Sequence, residues 1–371
     1  MDQKARPGSY IASLDGIRAI AVLIVFVFHS APHFRLPGGM GAIPGGFGVT
    51  IFFFLSGYLI TTLLRQEFDA SGKLSIRNFY IRRAYRILPP LYIFLFVLFA
   101  IQVFRGLPVD PTALASQIFQ WSNYYVIFNG DSKLMPATVV TWSLAVEEHF
   151  YLVYPVLMAV LMRRFSARQI AALLVAFCVA ILVWRCVLVM GMGIGVRYTY
   201  MATDTRLDAI AFGALAGFYM NPVLDESARR MTERQSVPWF VLGLLLVLAS
   251  FGVRNETFRE TFRYSVQGLA LWPLFFCAIK FAHLGLFSWL NTRLMRWLGT
   301  ISYTFYLIHW SVLSFFGSVI QTRWVAIACG LVGTAALAQL MYVSVERPLA
   351  TMRKRRHGTP PSPSIAVSQP V

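Results

Sequence analysis

Arginine and histidine seldom sit inside an apolar run, yet LDGIRAIAVLIVFVFH, residues 14–29, holds both. Arg18 and His29 are eleven residues apart. At 3.6 residues per turn that is close to three turns, so they share one helix face about 16 Å apart. Ionisable groups inside a bilayer face a cavity or a partner, and an intramembrane histidine commonly moves protons. Asp15 stands three residues before Arg18 and can pair with it along the helix. The plainer alternative is an arginine that snorkels to the interface and a histidine that ends the helix.

Four further segments carry chemistry. In RNFYIRRAYRILPPLY, Arg77, Arg82, Arg83 and Arg86 fall within ten residues, interleaved with Phe79, Tyr80 and Tyr85. Arg82 and Arg86 are i,i+4 neighbours, expected to project together from a helix entering an apolar span before Pro89. Guanidinium forks suit phosphate and aromatic faces accept a stacked base, so a phosphorylated or nucleotide-bearing ligand fits. So does ordinary anchoring of a basic loop. In WSLAVEEHFYLVYP, Ser143, Glu147, Tyr151 and Tyr154 share a helix face, with Glu148 on the neighbouring strip beside His149. A glutamate there can bind an acceptor hydroxyl or orient a histidine. TDTRLDAIAFGALAG places Arg206 and Asp208 before a Gly/Ala-rich stretch and reads as a self-satisfied pair that lets helices pack closely. In ISYTFYLIHW, Tyr303, Tyr306 and His309 recur at i, i+3 and i+6.

Two features weigh less. Ser56-Gly57 inside an apolar run fits close helix packing, and without a GxSxG context Ser56 is a weak nucleophile candidate. Glu346-Arg347-Pro348 reads as an ion pair with a basic loop.

These residues need a scaffold, and the composition says which. Of 371 residues, 57% are hydrophobic and only 13% charged, with a net charge of +17. Average globular chains carry about 25% charged residues, so too little polar surface remains for several soluble domains. The basic residues stand between long apolar runs, against a nucleic-acid surface. The expected fold is all-α, a polytopic membrane bundle of about ten spans: 15–31, 47–65, 87–104, 141–162, 168–190, 205–220, 237–252, 265–282, 299–319 and 324–345. The first is read as a span rather than a cleaved signal peptide. Residues 112–128 are interrupted and read as interfacial or re-entrant. Residues 1–14 form an N-terminal segment and 15–348 one membrane domain. Residues 349–371 form a basic, then Pro/Ser-rich tail expected to be disordered. Six glycines between 38 and 48 mark an outer loop or close backbone approach. Cys178, Cys186, Cys277 and Cys329 lie in apolar runs without CxxC spacing, so neither disulfide nor metal site is expected.

Ten spans place both termini on one side. That side holds 22 of the 31 loop and terminal Lys and Arg, with Arg206 counted among the other side's loops. Positive-inside bias makes it the cytoplasm. The charge excess is chiefly an orientation signal.

With these motifs in order, the sequence resembles acyltransferase family 3, the integral-membrane O-acyltransferases. LDGIRAIAVLIVFVFH, GVTIFFFLSGYLI, FYIRRAYRILPPLY, WSLAVEEHFYLVYP, TRLDAIAFGALAG, ISYTFYLIHW and ERP cover about residues 13–348. The resemblance implies transfer of an acyl group, most often acetyl from acetyl-CoA, to a carbohydrate hydroxyl, with no bound cofactor. Arg18 and His29 match the family's Arg-x10-His motif, His29 being the implied base, with Glu147 as a further catalytic candidate. Arg82, Arg83 and Arg86 match its basic acyl-CoA motif, beside Tyr85. Ser143, Glu148, Arg206, Asp208, Tyr303 and His309 complete the expected substrate-binding set. Thr50 departs from the family, where many members carry Asp after Gly-Val. The implied acceptor is an exported or cell-surface polysaccharide such as exopolysaccharide or O-antigen, and the implied location the inner membrane. Direct transfer is favoured over an acyl-enzyme. A transporter or flippase also needs an Arg-lined cavity and an intramembrane His, but often shows repeat symmetry, which is not seen here.

Overall fold

The computed structural model describes residues 11–33 and 45–357. Residues 34–44, with the first glycines of the outer loop, lie outside the described residues, as do 1–10 and the Pro/Ser-rich stretch from 358. All ten expected spans are long helices: α1 Ala12–His33, α2 Gly45–Ser71, α3 Ile76–Phe104, α4 Thr141–Arg164, α5 Ala167–Cys186, α6 Thr203–Phe218, α7 Glu233–Gly252, α8 Phe262–Lys280, α9 Arg293–Val319 and α10 Arg323–Met341. No strand occurs among the described residues. Eight of the ten are long and apolar enough to cross a bilayer; α6 and α9 fall outside that set. α6 has only 16 residues and is buried nearly throughout, so protein rather than lipid surrounds it.

Neighbouring helices show that α6 and α9 keep the alternating order. α2 and α6 run parallel: Thr50 meets Arg206, Gly57 faces Ile210 and Thr61 faces Gly217. α1 and α9 also run parallel, from Asp15 against Gly299 to His29 against His309. α5 and α6 are antiparallel, with Trp184 bonded to Asp204 and Cys178 beside Asp208. Helices an even number apart run together and adjacent ones oppose, as successive crossings require. The start of α1 and the end of α10 therefore lie at one end of the bundle.

Close approach is built in by sequence. A Cβ at Gly57 would lie 1.9 Å from the Ile210 carbonyl oxygen, and one at Gly213 1.9 Å from that of Phe54. Only glycine at both positions lets α2 and α6 meet backbone to backbone. Local signals mark the helix ends. Capping boxes at Ser166–Gln169 and Thr232–Gln235 start α5 and α7, and Arg163 and Arg164 close α4 where the dipole favours cations.

α2 and α3 have 27 and 29 residues. At 1.5 Å per residue they run about 40 Å, roughly 10 Å beyond a bilayer core. Their overhang carries the Arg motif at the terminus end of the bundle. α3 is continuous from Ile76 through Pro89 and Pro90, so the segment read as a basic loop is itself helical. The interrupted segment 112–128 forms two short helices, Pro111–Ile118 and Ser122–Asn129, broken where Gln120 takes φ 61°. After α10 a π-helical turn, Tyr342–Glu346, leads into a helix Arg347–His357 that packs on α3. The basic start of the tail is thus helical.

Candidate active site

Five helices enclose one cavity. α1 gives Arg18, α2 gives Phe52 and Ser56, and α3 gives Arg83 and Arg86. α4 gives Ser143, Glu147, Glu148 and Tyr151, while α9 gives Tyr303 and Tyr306. Its solvent-sized space is about 80 Å³. Seven of the expected site residues, Arg18, Arg83, Arg86, Ser143, Glu147, Glu148 and Tyr303, meet here from four helices.

The arginines differ in what holds them. Arg18 is bonded to Asp15 at 2.8 Å, the expected i,i+3 pair. Arg83 lies over the Tyr151 ring at 4.5 Å and the Phe79 ring at 5.7 Å, a stacked cation rather than an ion-paired one. Arg86 is exposed to the cavity and makes no hydrogen bond or ion pair among the described residues. Arg82 does not join them: it turns to Glu67 on the α2 overhang, at 3.3 Å. The expected Arg82–Arg86 projection is therefore replaced by Arg83 with Arg86, an i,i+3 pair. Tyr85 does not line the cavity. Two guanidiniums with no carboxylate within ion-pair distance among the described residues, one stacked and one open, suit an anionic ligand arriving from the terminus end.

Across the cavity, Ser56 donates to Glu147 Oε1 at 3.2 Å and Tyr151 donates to Oε2 at 2.6 Å. Glu147 is thus held by hydroxyls and orients no histidine, contrary to one expectation for it. Glu148 faces the cavity with no hydrogen bond or ion pair among the described residues. Its neighbour His149 points away, to Thr203 at 2.7 Å. Toward the far end the cavity closes where the Ser143 and Tyr306 hydroxyls meet at 2.6 Å, and Tyr303 donates to the Ile87 carbonyl at 2.8 Å.

His29 lies beyond that closure. Its Nδ1 is 2.9 Å from Nε2 of His309, which is fully buried, and its ring stacks on Trp310 with centroids 4.6 Å apart. Arg18 and His29 do share the α9-facing side of α1, with Arg18 at the cavity and His29 at a histidine pair. The i, i+3, i+6 spacing on α9 was the visible signal for this pair. That Tyr306 faces the cavity and His309 faces His29 was not visible.

Arg206 and Asp208 part company. Residues two apart on a helix point in different directions. Asp208 pairs with Arg185 of α5 at 2.7 Å, both side chains fully buried. Arg206 is no loop charge either: it is fully buried, donates to Thr50 Oγ1 at 3.1 Å and lies 4.0 Å over the Tyr264 ring. Its Nε and Nη1 have no hydrogen-bond partner among the described residues. Thr50, the position noted above for its departure, is thus the side chain to which Arg206 donates. Glu346 accepts from Thr304 at 2.6 Å and makes no direct ion pair within 4 Å among the described residues; Arg86 of the basic segment acts on it only at longer range. Outside the spans, burial and then the Asp204 carboxylate push the Tyr198 hydroxyl up to about 12, so it donates to Asp204 as a neutral phenol.

An arginine-lined pocket thus lies at one end and a histidine pair toward the other, with the Ser143–Tyr306 contact between them. No cluster of metal-binding side chains occurs among the described residues. The sequence family described as an acyltransferase domain matches residues 11–343. The chain belongs to this acyltransferase family. YrhL of Bacillus subtilis is 31% identical over 374 residues, covering 95% of this chain and 56% of its own. The peptidoglycan O-acetyltransferase OatA of Listeria monocytogenes is 28% identical over 92% of this chain and 56% of its own. The O-acetyltransferase OatA of Staphylococcus aureus is 27% identical over 92% and 57%. The chain thus spans just over half the length of these relatives. No solved structure matches this chain.

Proposed function

We propose that this multi-pass membrane acyltransferase moves an acetyl group from acetyl-CoA to a hydroxyl of a cell-envelope carbohydrate. The observation that carries this reading is the cavity lined by Arg83 and Arg86, neither within ion-pair distance of a carboxylate among the described residues, with Glu147 and Glu148 on the opposite wall. The CoA phosphates are the anions that fit, and the aromatic residues around Arg83 suit the nucleotide. A space of about 80 Å³ receives the thiol end of the donor while the nucleotide stays at the mouth, and transfer requires the Ser143–Tyr306 contact to part so that the acyl carbon reaches the acceptor held at His29. The positive-inside count supports a cytoplasmic mouth, with the His29 end toward the outer side of the membrane. The peptidoglycan acceptor in the names of two relatives supports a glycan built or exported at that face; exopolysaccharide and O-antigen are acceptors of the same chemistry.

In the direct route, His29 takes the acceptor hydroxyl proton as the oxygen attacks the thioester carbon. The C–S bond breaks, and the CoA thiolate recovers a proton. Ser56 and Tyr151 position Glu147 at the cavity wall.

Membranes containing the protein are expected to transfer label from acetyl-CoA to envelope glycan. Arg86→Ala should raise KM for acetyl-CoA about tenfold, since a hydrogen bond to a charged group is worth roughly 1.5 kcal/mol or more. Arg82→Ala, with its ion pair on the half-exposed overhang, should change KM less than about threefold. Equal effects of the two substitutions argue against the cavity as the donor site, and absence of CoA-dependent label argues against the reading itself.

Ser56→Ala separates direct transfer from an acyl-enzyme. Direct transfer predicts a loss of about tenfold at most, from one hydrogen bond to Glu147. An acyl-serine route predicts complete loss and a wild-type protein that carries acetyl label at Ser56 when acceptor is withheld. Intact-protein mass spectrometry reads the difference.

A further inference from the structure

The mechanism above needs His29 as a base, and two imidazoles 2.9 Å apart leave open which nitrogens carry protons. His309 settles this through its backbone. Its Nδ1 faces the carbonyl oxygen of Tyr306, one turn back on α9. A carbonyl only accepts, so His309 Nδ1 bears the proton. The neutral ring then has a bare Nε2, which is the atom that meets His29. That contact is a hydrogen bond only if His29 Nδ1 donates, which leaves the lone pair of His29 on Nε2.

The opposite assignment requires both nitrogens of His309 to carry protons. That would place an imidazolium in a fully buried position with no carboxylate within 4 Å among the described residues. Burying an unpaired charge is strongly unfavourable. Trp310 stacked on one face of His29 and Phe28 edge-on at 5.2 Å restrict how the ring can turn.

We infer that His309 is a positioning residue for acyl transfer: anchored by the Tyr306 carbonyl, it holds His29 as the tautomer whose Nε2 is free to take the acceptor proton. The inference rests on the proposed role of His29 and replaces the substrate-binding role expected for His309. During transfer the acceptor O–H proton goes to His29 Nε2 as the oxygen–carbon bond forms and the C–S bond of the thioester breaks. The resulting imidazolium keeps its Nδ1–H on His309 Nε2, which stabilises it. The thiolate leaving group takes the proton, and neutral His29 is restored. A neutral imidazole thus fills the place a carboxylate holds in a Ser-His-Asp arrangement.

The test combines two substitutions with a spectroscopic readout. His309→Leu removes the acceptor and should lower kcat about 100-fold with both KM values within about twofold. His309→Gln restores an amide oxygen that can accept from His29 Nδ1, and should return kcat to within about tenfold of wild type. A packing role predicts instead that Gln and Leu fail alike, or that Leu has wild-type kcat; either overturns the inference. In 15N-histidine-labelled wild-type protein in lipid, the His29 signal, assigned by its loss in His29→Gln, should show a protonated Nδ1. A protonated Nε2 with bare Nδ1 overturns the inference even if neither variant folds. Full activity of His29→Ala would strike the catalytic reading while leaving the tautomer assignment standing, so the two failures are distinguishable.

Discussion

His29→Ala is expected to lower acyl transfer by about 10²–10⁴-fold while leaving KM for acetyl-CoA within about twofold of wild type. The size follows from the role: a positioned general base supplies that factor, roughly 3–5 kcal/mol of barrier. The split between kcat and KM follows from the geometry. His29 is absent from the cavity wall, which closes at the Ser143–Tyr306 contact, and its ring is engaged by His309 and Trp310 instead. Removing the imidazole should therefore leave the donor arginines untouched. A variant with normal kcat would sink the base role. A raised donor KM with normal kcat would make His29 a residue that binds the donor. Arg86→Ala is the control with the opposite signature, in KM.

How much of this was legible beforehand depended on what kind of signal each residue carries. Apolar runs are read by length, and every expected span is a helix, including the short α6. Asp15–Arg18 was legible because an i,i+3 pair depends on one helix only. The α2–α6 contact was half legible, because Ser56-Gly57 and the Gly/Ala-rich run both announce close approach without naming a partner. The failures share one physical cause. Arg206 with Asp208, and Arg82 with Arg86, were paired by proximity in sequence, but a buried charge is satisfied by whichever neighbour the tertiary packing brings to it. For Asp208 that is Arg185, 23 positions earlier and inside an apolar span. For Arg82 it is Glu67, on the overhang of another helix. A lone arginine within span five was the available clue to a buried acidic partner. The sequence does not say which carboxylate answers it.

Asp208→Ala is expected to cost about 3–5 kcal/mol of stability, the usual consequence of leaving a buried charge without its partner. Arg185 and Asp208 are both fully enclosed, so the stranded guanidinium stays away from bulk solvent. The network around them is specific. Arg185 Nη2 reaches Asp208 Oδ2 at 2.7 Å and Ser265 Oγ at 2.6 Å, while its Nη1 and Nε bond the carbonyls of Thr205 and Thr261. The guanidinium therefore ties α5 to α6 and α8, and α6 in turn lies against α2, which supplies part of the cavity wall. Domains with about 5–15 kcal/mol of total stability lose a large share through one such change. A double substitution, Arg185→Met with Asp208→Leu, removes both charges and should recover most of the loss, because well-packed apolar pairs replace buried ion pairs with little penalty. The melting temperature in lipid nanodiscs checks both expectations, alongside turnover per folded molecule. Turnover should stay near wild type, since neither residue lines the cavity or touches the histidine pair. If Asp208→Ala instead keeps its melting temperature and loses turnover, the residue binds substrate, and the buried pair with Arg185 is not what holds these helices together.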